Sequence, residues 1–116
     1  MHELAIAQSI VDIVEERATA CNAAHVSSVH LKIGEASGIV ADSLIFSLEM
    51  LTSLDSILAG AQLRIDVAPH RARCRSCNKE FHIINFVAQC PTCQEWSDEI
   101  ISGVELQILE MEIETL

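Results

Sequence analysis

The sequence predicts an α/β fold: two helices on a three-stranded mixed sheet, with a small inserted four-cysteine domain of zinc-ribbon type. Three observations carry this. Apolar residues recur at helical spacing in two segments. Three other segments alternate apolar and polar residues, as half-buried strands do. Two Cys-x-x-Cys pairs, Cys74-Arg75-Ser76-Cys77 and Cys90-Pro91-Thr92-Cys93, stand twelve residues apart between the second and third strands.

The first helix follows Met1-His2-Glu3. Leu4, Ala7, Ile10, Val11, Val14, Ala18 and Cys21 form its apolar stripe, and Asn22 ends it. Cys21 continues the stripe and is expected to be buried. Val29 to Gly34 alternates as the first strand, which places His30 on the solvent phase and His25 in the loop before it. Asp42 or Ser43 is suited to cap a second helix running from about Ser43 to Leu54. Leu44, Ile45, Phe46, Leu48, Met50 and Leu51 cover most of its circumference. Such a helix is deeply buried or lies partly in an interface, including that of a homodimer.

Leu63 to Val67 alternates as the second strand, and Pro69 stops it because proline cannot donate to a ladder. Val104 to Ile113 is the third. Its phase slips: Val104, Leu106 and Ile108 share one face, whereas Leu109, Met111 and Ile113 share the other. A β-bulge is therefore expected near Ile108-Leu109. The main domain is discontinuous on this reading, residues 1–69 plus 98–116, with the cysteine domain at 70–97.

Composition narrows the function classes. Half of the 116 residues are hydrophobic but only 3% are aromatic, so the core must be aliphatic. The formal net charge of −10 argues against nucleic acid and against an anionic membrane surface as partners. No secretory leader is evident and no stretch is apolar enough to span a bilayer, so the expected location is the cytoplasm. There, paired cysteines point to metal ligation rather than disulfides.

Each Cys-x-x-Cys turn aims two thiolates at one point, and the spacer lets the pairs face each other. Cys74, Cys77, Cys90 and Cys93 thus form a closed four-thiolate site, which suits structural zinc. Iron in a rubredoxin-like site takes the same ligands. Residues 70–97 hold too few apolar side chains to fold without such a tether.

The amino terminus has its own chemistry. The Met1 amine, the His2 amide nitrogen and the His2 imidazole can close adjoining chelate rings around Ni²⁺ or Cu²⁺, which favour a nitrogen-rich square plane. Glu3 can add a carboxylate or orient the imidazole. The plainer reading is a solvated terminus. His70 and His82 flank or interrupt the cysteine domain, where structural or solvated roles are expected. No nucleophile–base pair, phosphate-cradling glycine loop or catalytic carboxylate pair is present, so an enzyme is not expected.

Met1-His2-Glu3-Leu4, Ala7-Gln8-Ser9-Ile10, Leu31-Lys32-Ile33-Gly34 with Ser37-Gly38, both cysteine pairs, Ser102-Gly103-Val104-Glu105-Leu106 and Met111-Glu112-Ile113 occur in an order that resembles the HypA/HybF family of hydrogenase nickel-incorporation proteins. The resemblance implies a nickel metallochaperone that delivers Ni²⁺ to the [NiFe]-hydrogenase large subunit, working with a HypB-type nickel GTPase. It implies nickel on Met1, His2 and Glu3, and zinc on Cys74, Cys77, Cys90 and Cys93. Two departures stand out. Asn78 and Gln94 occupy the position after each cysteine pair where relatives place glycine and the turn favours a positive φ. Ser97-Asp98-Glu99-Ile100 lacks the histidine that some relatives offer to nickel. The alternative is a structural zinc-ribbon adaptor that docks proteins without transferring nickel.

Overall fold

The computed structural model describes residues 3–52 and 56–115. Helix α1 spans Glu3–Ala20, strand β1 Ala23–Gly34, helix α2 Ala41–Leu51 and strand β2 Gln62–Ala68. Three short strands follow: β3 (Arg71–Arg73), β4 (Glu80–His82) and β5 (Glu99–Ser102). Strand β6, Leu106–Thr115, ends the chain. The main sheet has the order β2-β1-β6, with β1 parallel to β2 and antiparallel to β6, so it is mixed as expected. The second sheet, β4-β3-β5, is antiparallel throughout.

Helix α1 buries Ile6, Ala7, Ile10, Val11, Val14 and Ala18, the face that its spacing dictates. It stops where Asn22 enters the left-handed region at φ 57°, a conformation that asparagine tolerates. Cys21 lies past the last helical turn and is exposed, so its expected burial is corrected. The helical stripe ends one residue before it reaches Cys21.

Strand β1 begins six residues earlier than the alternation indicates, and His25 lies within it rather than in a loop. The cause is visible in its register against β6. The pairs Ala23↔Thr115, His25↔Glu114, Val26↔Ile113 and Ser28↔Glu112 leave Ala24 and Ser27 as extra residues. These bulges break the two-residue period, so Val26 and Val29, three apart, both reach the core. On β6 the steps His30↔Glu110 and Leu31↔Ile108 leave Leu109 extra, the bulge that the phase slip indicates.

Helix α2 starts at Ala41, not Ser43, with Val40 as its N-cap and no side-chain cap. Asp42 lies in the first turn, where its charge suits the helix dipole instead of capping it. Leu44, Ser47 and Leu48 are buried, whereas Phe46 and Met50 are more than half exposed. Its expected end, Leu54, lies outside the described residues.

Two cores result. The larger joins α1, α2 and the inner face of the main sheet through residues such as Val14, Leu31, Ile33, Leu44 and Leu48. The smaller contains Ala72, Cys74, Phe81, Ile83 and Cys90. The molecule is long, 57 × 24 × 17 Å, with a radius of gyration of 17.8 Å. A compact chain of this length has about 13 Å.

The sheets meet at a close backbone crossing. A Cβ on Gly34 would lie 2.1 Å from the carbonyl carbon and oxygen of Gly103. The Ala36 N–H donates to Gly103 O at 2.7 Å, and the Glu35 N–H donates to Ala68 O at 2.8 Å. Strand β5 pairs with β3, so the second sheet runs past residue 97, the expected end of the inserted domain, to Ser102.

Candidate metal centre

The two cysteine turns repeat one backbone pattern at an offset of sixteen residues. The Asn78 N–H donates to Cys74 O at 2.7 Å and the Cys74 N–H to Lys79 O at 2.9 Å. Likewise the Gln94 N–H donates to Cys90 O at 2.8 Å and the Cys90 N–H to Glu95 O at 2.9 Å. Asn78 and Gln94 both have positive φ, 62° and 66°. The positive φ that favours glycine at these turns is therefore adopted here by two residues with side chains.

The turns bring the Sγ atoms of Cys74, Cys77, Cys90 and Cys93 within 4.8 Å of one another, the one such His/Cys/Asp/Glu cluster among the described residues. Cys74 and Cys93 Sγ are 3.2 Å apart, and Cys77 and Cys90 Sγ 3.6 Å. A tetrahedral zinc ion with Zn–S bonds of about 2.3 Å requires sulfur separations of roughly 3.8 Å, so the donor set fits zinc. Cys74 and Cys90 are buried, Cys77 half-buried and Cys93 at the surface.

The thiols are electrostatically unequal. The Cys93 and Thr92 backbone N–H groups point at Cys90 Sγ and, with the neighbouring thiols, lower its pKa to about 6. The Cys77 backbone N–H and the Cys93 thiol lower that of Cys74. At Cys93 the Glu95 N–H also works downward. The neighbouring Cys74 and Cys90 and burial outweigh it and push the thiol up to about 12. The outer partner of each lowered thiol thus holds its proton until a cation balances the crowded charge, and metal loading must release protons.

The cluster is framed by β3, the turn after β4 and the start of β5. The Ser97 hydroxyl donates to Arg73 O, and the Ser97 N–H donates to Ala88 O at 2.9 Å. Arg73 Nη2 reaches Glu80 Oε1 at 3.2 Å across the β3–β4 pair.

The family described as "Hydrogenase/urease nickel incorporation, metallochaperone, hypA" matches residues 1–113 of this chain. The chain belongs to the HypA family. It is 40% identical over 114 residues to the hydrogenase maturation factor HypA of Geobacter metallireducens, covering 98% of this chain and all of that one. It is also 40% identical over 108 residues to that of Chlorobium luteolum, covering 93% and 92%. Its fold is that of the Ni metallochaperone HypA from Helicobacter pylori in solution, with a TM-score of 0.70 at 23% identity over the full length of both chains.

Met1 and His2, the expected nickel ligands, lie outside the described residues. Glu3 is the first residue of α1, partly buried in its first turn. The other histidines are better defined. His30 is not solvated freely: its Nε2–H donates to Asp66 Oδ2 at 2.8 Å, and its Nδ1 is 3.6 Å from Glu110 Oε1. It thus links all three strands on the outer face of the main sheet. His25 Nε2–H donates to Ala59 O at 2.8 Å. His70 is buried at the crossing and meets the Phe86 ring edge-on at 5.6 Å. His82 Nε2–H donates to Glu35 Oε1 at 2.7 Å, and Glu35 Oε1 also accepts the His70 N–H at 3.0 Å.

Glu35 is the residue that periodicity and motif spacing do not single out. Its signal is its position directly after Gly34, where the first strand leaves the sheet and passes the inserted domain. No helix among the described residues is long and apolar enough to cross a membrane.

Proposed function

We propose that this HypA-family chain is a non-enzymatic carrier that delivers Ni²⁺ to the [NiFe]-hydrogenase large subunit, together with a HypB-type GTPase. The observation that carries the reading is the family match from residue 1 to residue 113, which includes Met1-His2-Glu3 and both cysteine pairs. Two sites divide the work. Cys74, Cys77, Cys90 and Cys93 hold resident zinc, which when bound ties the second sheet and its small core together. Met1, His2 and Glu3 hold the transferred nickel.

The chemistry of the two donor sets supports this division. Four thiolates fill a tetrahedral shell, leaving no position for exchange, so the cysteine site suits a permanent ion. The amine, amide and imidazole nitrogens of Met1-His2 suit Ni²⁺, and four nitrogen-rich positions exchange more readily than a closed thiolate shell. Protons compete for these nitrogens, so nickel binding weakens as pH falls.

The test is calorimetric titration of Ni²⁺ into zinc-loaded protein with an unmodified amino terminus, with metal analysis alongside. His2→Ala is expected to abolish stoichiometric Ni²⁺ binding while zinc stays near one per chain. Unchanged nickel affinity in that variant would overturn the assignment.

A further inference from the structure

We propose that the groove between α1 and β6 is the docking site for an amphipathic helix of a partner protein, its apolar stripe bordered by lysine and arginine. Ile6, Ile10 and Ile13 follow one another at helical spacing along this flank of α1. They face Leu106 and Ile108 on β6 across a cavity of about 380 Å³. A second cavity of about 290 Å³ continues the groove toward Met111 and shares Ile13 and Ile108 with the first. The floor is therefore one continuous apolar trough two cavities long. Its walls leave large apolar groups in water: Ile13 is 46% exposed, and Leu106 and Leu109 are each 45% exposed.

The form of the occupant follows from the strand. Strand β6 is an outer strand of the main sheet, the kind of edge that recruits an added strand. The Leu109 bulge interrupts its ladder midway and turns the edge away from regular pairing. A segment that brings its own backbone hydrogen bonds avoids that obstacle and needs only an apolar stripe. A helix lying beside α1 meets this condition.

The charge of the occupant follows from the distribution of acids. Outside residues 70–102 lie thirteen of the seventeen Asp and Glu but only three of the seven Lys and Arg, so the whole formal charge of −10 falls on the unit that carries the groove. Glu110 and Arg17 are the charged residues that line the trough itself, so the preference comes from the acidic unit around it. Two copies meeting here would oppose like charge to like charge, whereas a basic-bordered helix complements it. The exposed Phe86 and Trp96 lie in the segment where formal side-chain charges balance, and they carry no such preference.

The inference is independent of the nickel site. It is tested on the full-length, zinc-loaded chain with a synthetic helical peptide of leucine and lysine, roughly eighteen residues or five turns long. Its leucines recur at positions i, i+3, i+4 and i+7. A scrambled peptide of the same composition is the control. The ordered peptide is expected to shift the amide resonances of residues 6–17 and 106–111. It should bind at least about tenfold tighter than the scrambled one, a difference of roughly 1.4 kcal/mol. Ile13→Gln and Leu109→Gln are each expected to remove most of that difference, while amide shifts elsewhere report an intact fold. Three results would overturn the proposal: equal affinity for the scrambled peptide; shifts centred on Phe86 and Trp96; or a concentration-dependent dimer, seen by sedimentation, that Ile13→Gln dissociates.

Discussion

His82 Nε2 lies 2.7 Å from Glu35 Oε1, and this contact joins the second sheet to the main one. The chain itself connects them twice, through Pro69-His70 and through Gly103-Val104-Glu105. A side-chain link is thus added to two covalent ones. Because Glu35 also receives the His70 N–H, one carboxylate holds both a strand of the inserted domain and the connection leading into it.

The Glu35 carboxyl should titrate below its ordinary range. The His70 N–H is the largest cause, followed by the His82 hydrogen bond, and both favour the charged form. A depressed folded pKa means that the contact is fully present above the ordinary value of 4.5 and is lost as pH falls through the lowered one. Carbon-detected NMR should place the Glu35 midpoint below that ordinary value. His82→Ala should raise the midpoint only part of the way, because the His70 amide remains. A midpoint of 4.5 or higher in the unaltered protein would refute the contact in solution.

Cys77→Ser should release zinc and unfold residues 71–102 while the α/β domain survives. Two of the five buried residues of the small core are themselves cysteine ligands, so little apolar packing remains without the metal. Zinc supplies roughly 10–16 kcal/mol to comparable small sites. The helical CD signal should persist as proteolysis cuts within 71–102. Loss of both signals together would show that the main domain depends on the module.

Gly34→Ala and Gly38→Ala should differ in cost for different reasons. At Gly34 the added methyl would meet the Gly103 backbone at 2.1 Å, which only movement of the two sheets can relieve. About 3 kcal/mol or more is expected. Gly38 has φ +82° and open space around it, so its substitution costs only the left-handed backbone strain, about 1–2 kcal/mol. Urea unfolding would separate them, and equal losses would contradict the close crossing.

Deleting Leu109 should regularise this part of the β1–β6 ladder rather than shift it. The pairs Leu31↔Ile108, His30↔Glu110 and Val29↔Met111 then follow one another with no extra residue, and Met111 and Ile113 keep their face. Only the half-exposed Leu109 side chain is lost, which costs on the order of 1 kcal/mol. Equilibrium unfolding of the deletion variant checks this. A loss several times larger would mean that the bulge itself holds the register.

Much of this structure is legible in the residues, and the failures have physical causes. The stripe of α1 and the phase slip at Leu109 are local periodicities, and local periodicity survives folding. The start of β1 is hidden because Ala24 and Ser27 bulge and erase the two-residue pattern that marks a strand. The start of α2 is masked because Asp42 and Ser43 suit an N-cap chemically, yet backbone geometry puts Val40 there. The second sheet consists of strands three or four residues long, too short for any period to appear. For the cysteines, spacing and chemistry together indicate the cluster in which the fold places them. Glu35 acts across 47 residues of sequence, and its role exists only once both sheets are assembled.

The elongated shape has an electrical consequence. A molecule 57 Å long whose net charge sits wholly outside residues 70–102 has a large dipole moment along its long axis. The field of a basic surface therefore exerts a torque on it before contact and turns the acidic end forward. The cysteine end trails in that approach. This alignment acts over distances comparable to the screening length, about 8 Å at physiological ionic strength, and added salt weakens it. Arrival geometry, and not only contact affinity, is thus written into how the acids are distributed along the chain.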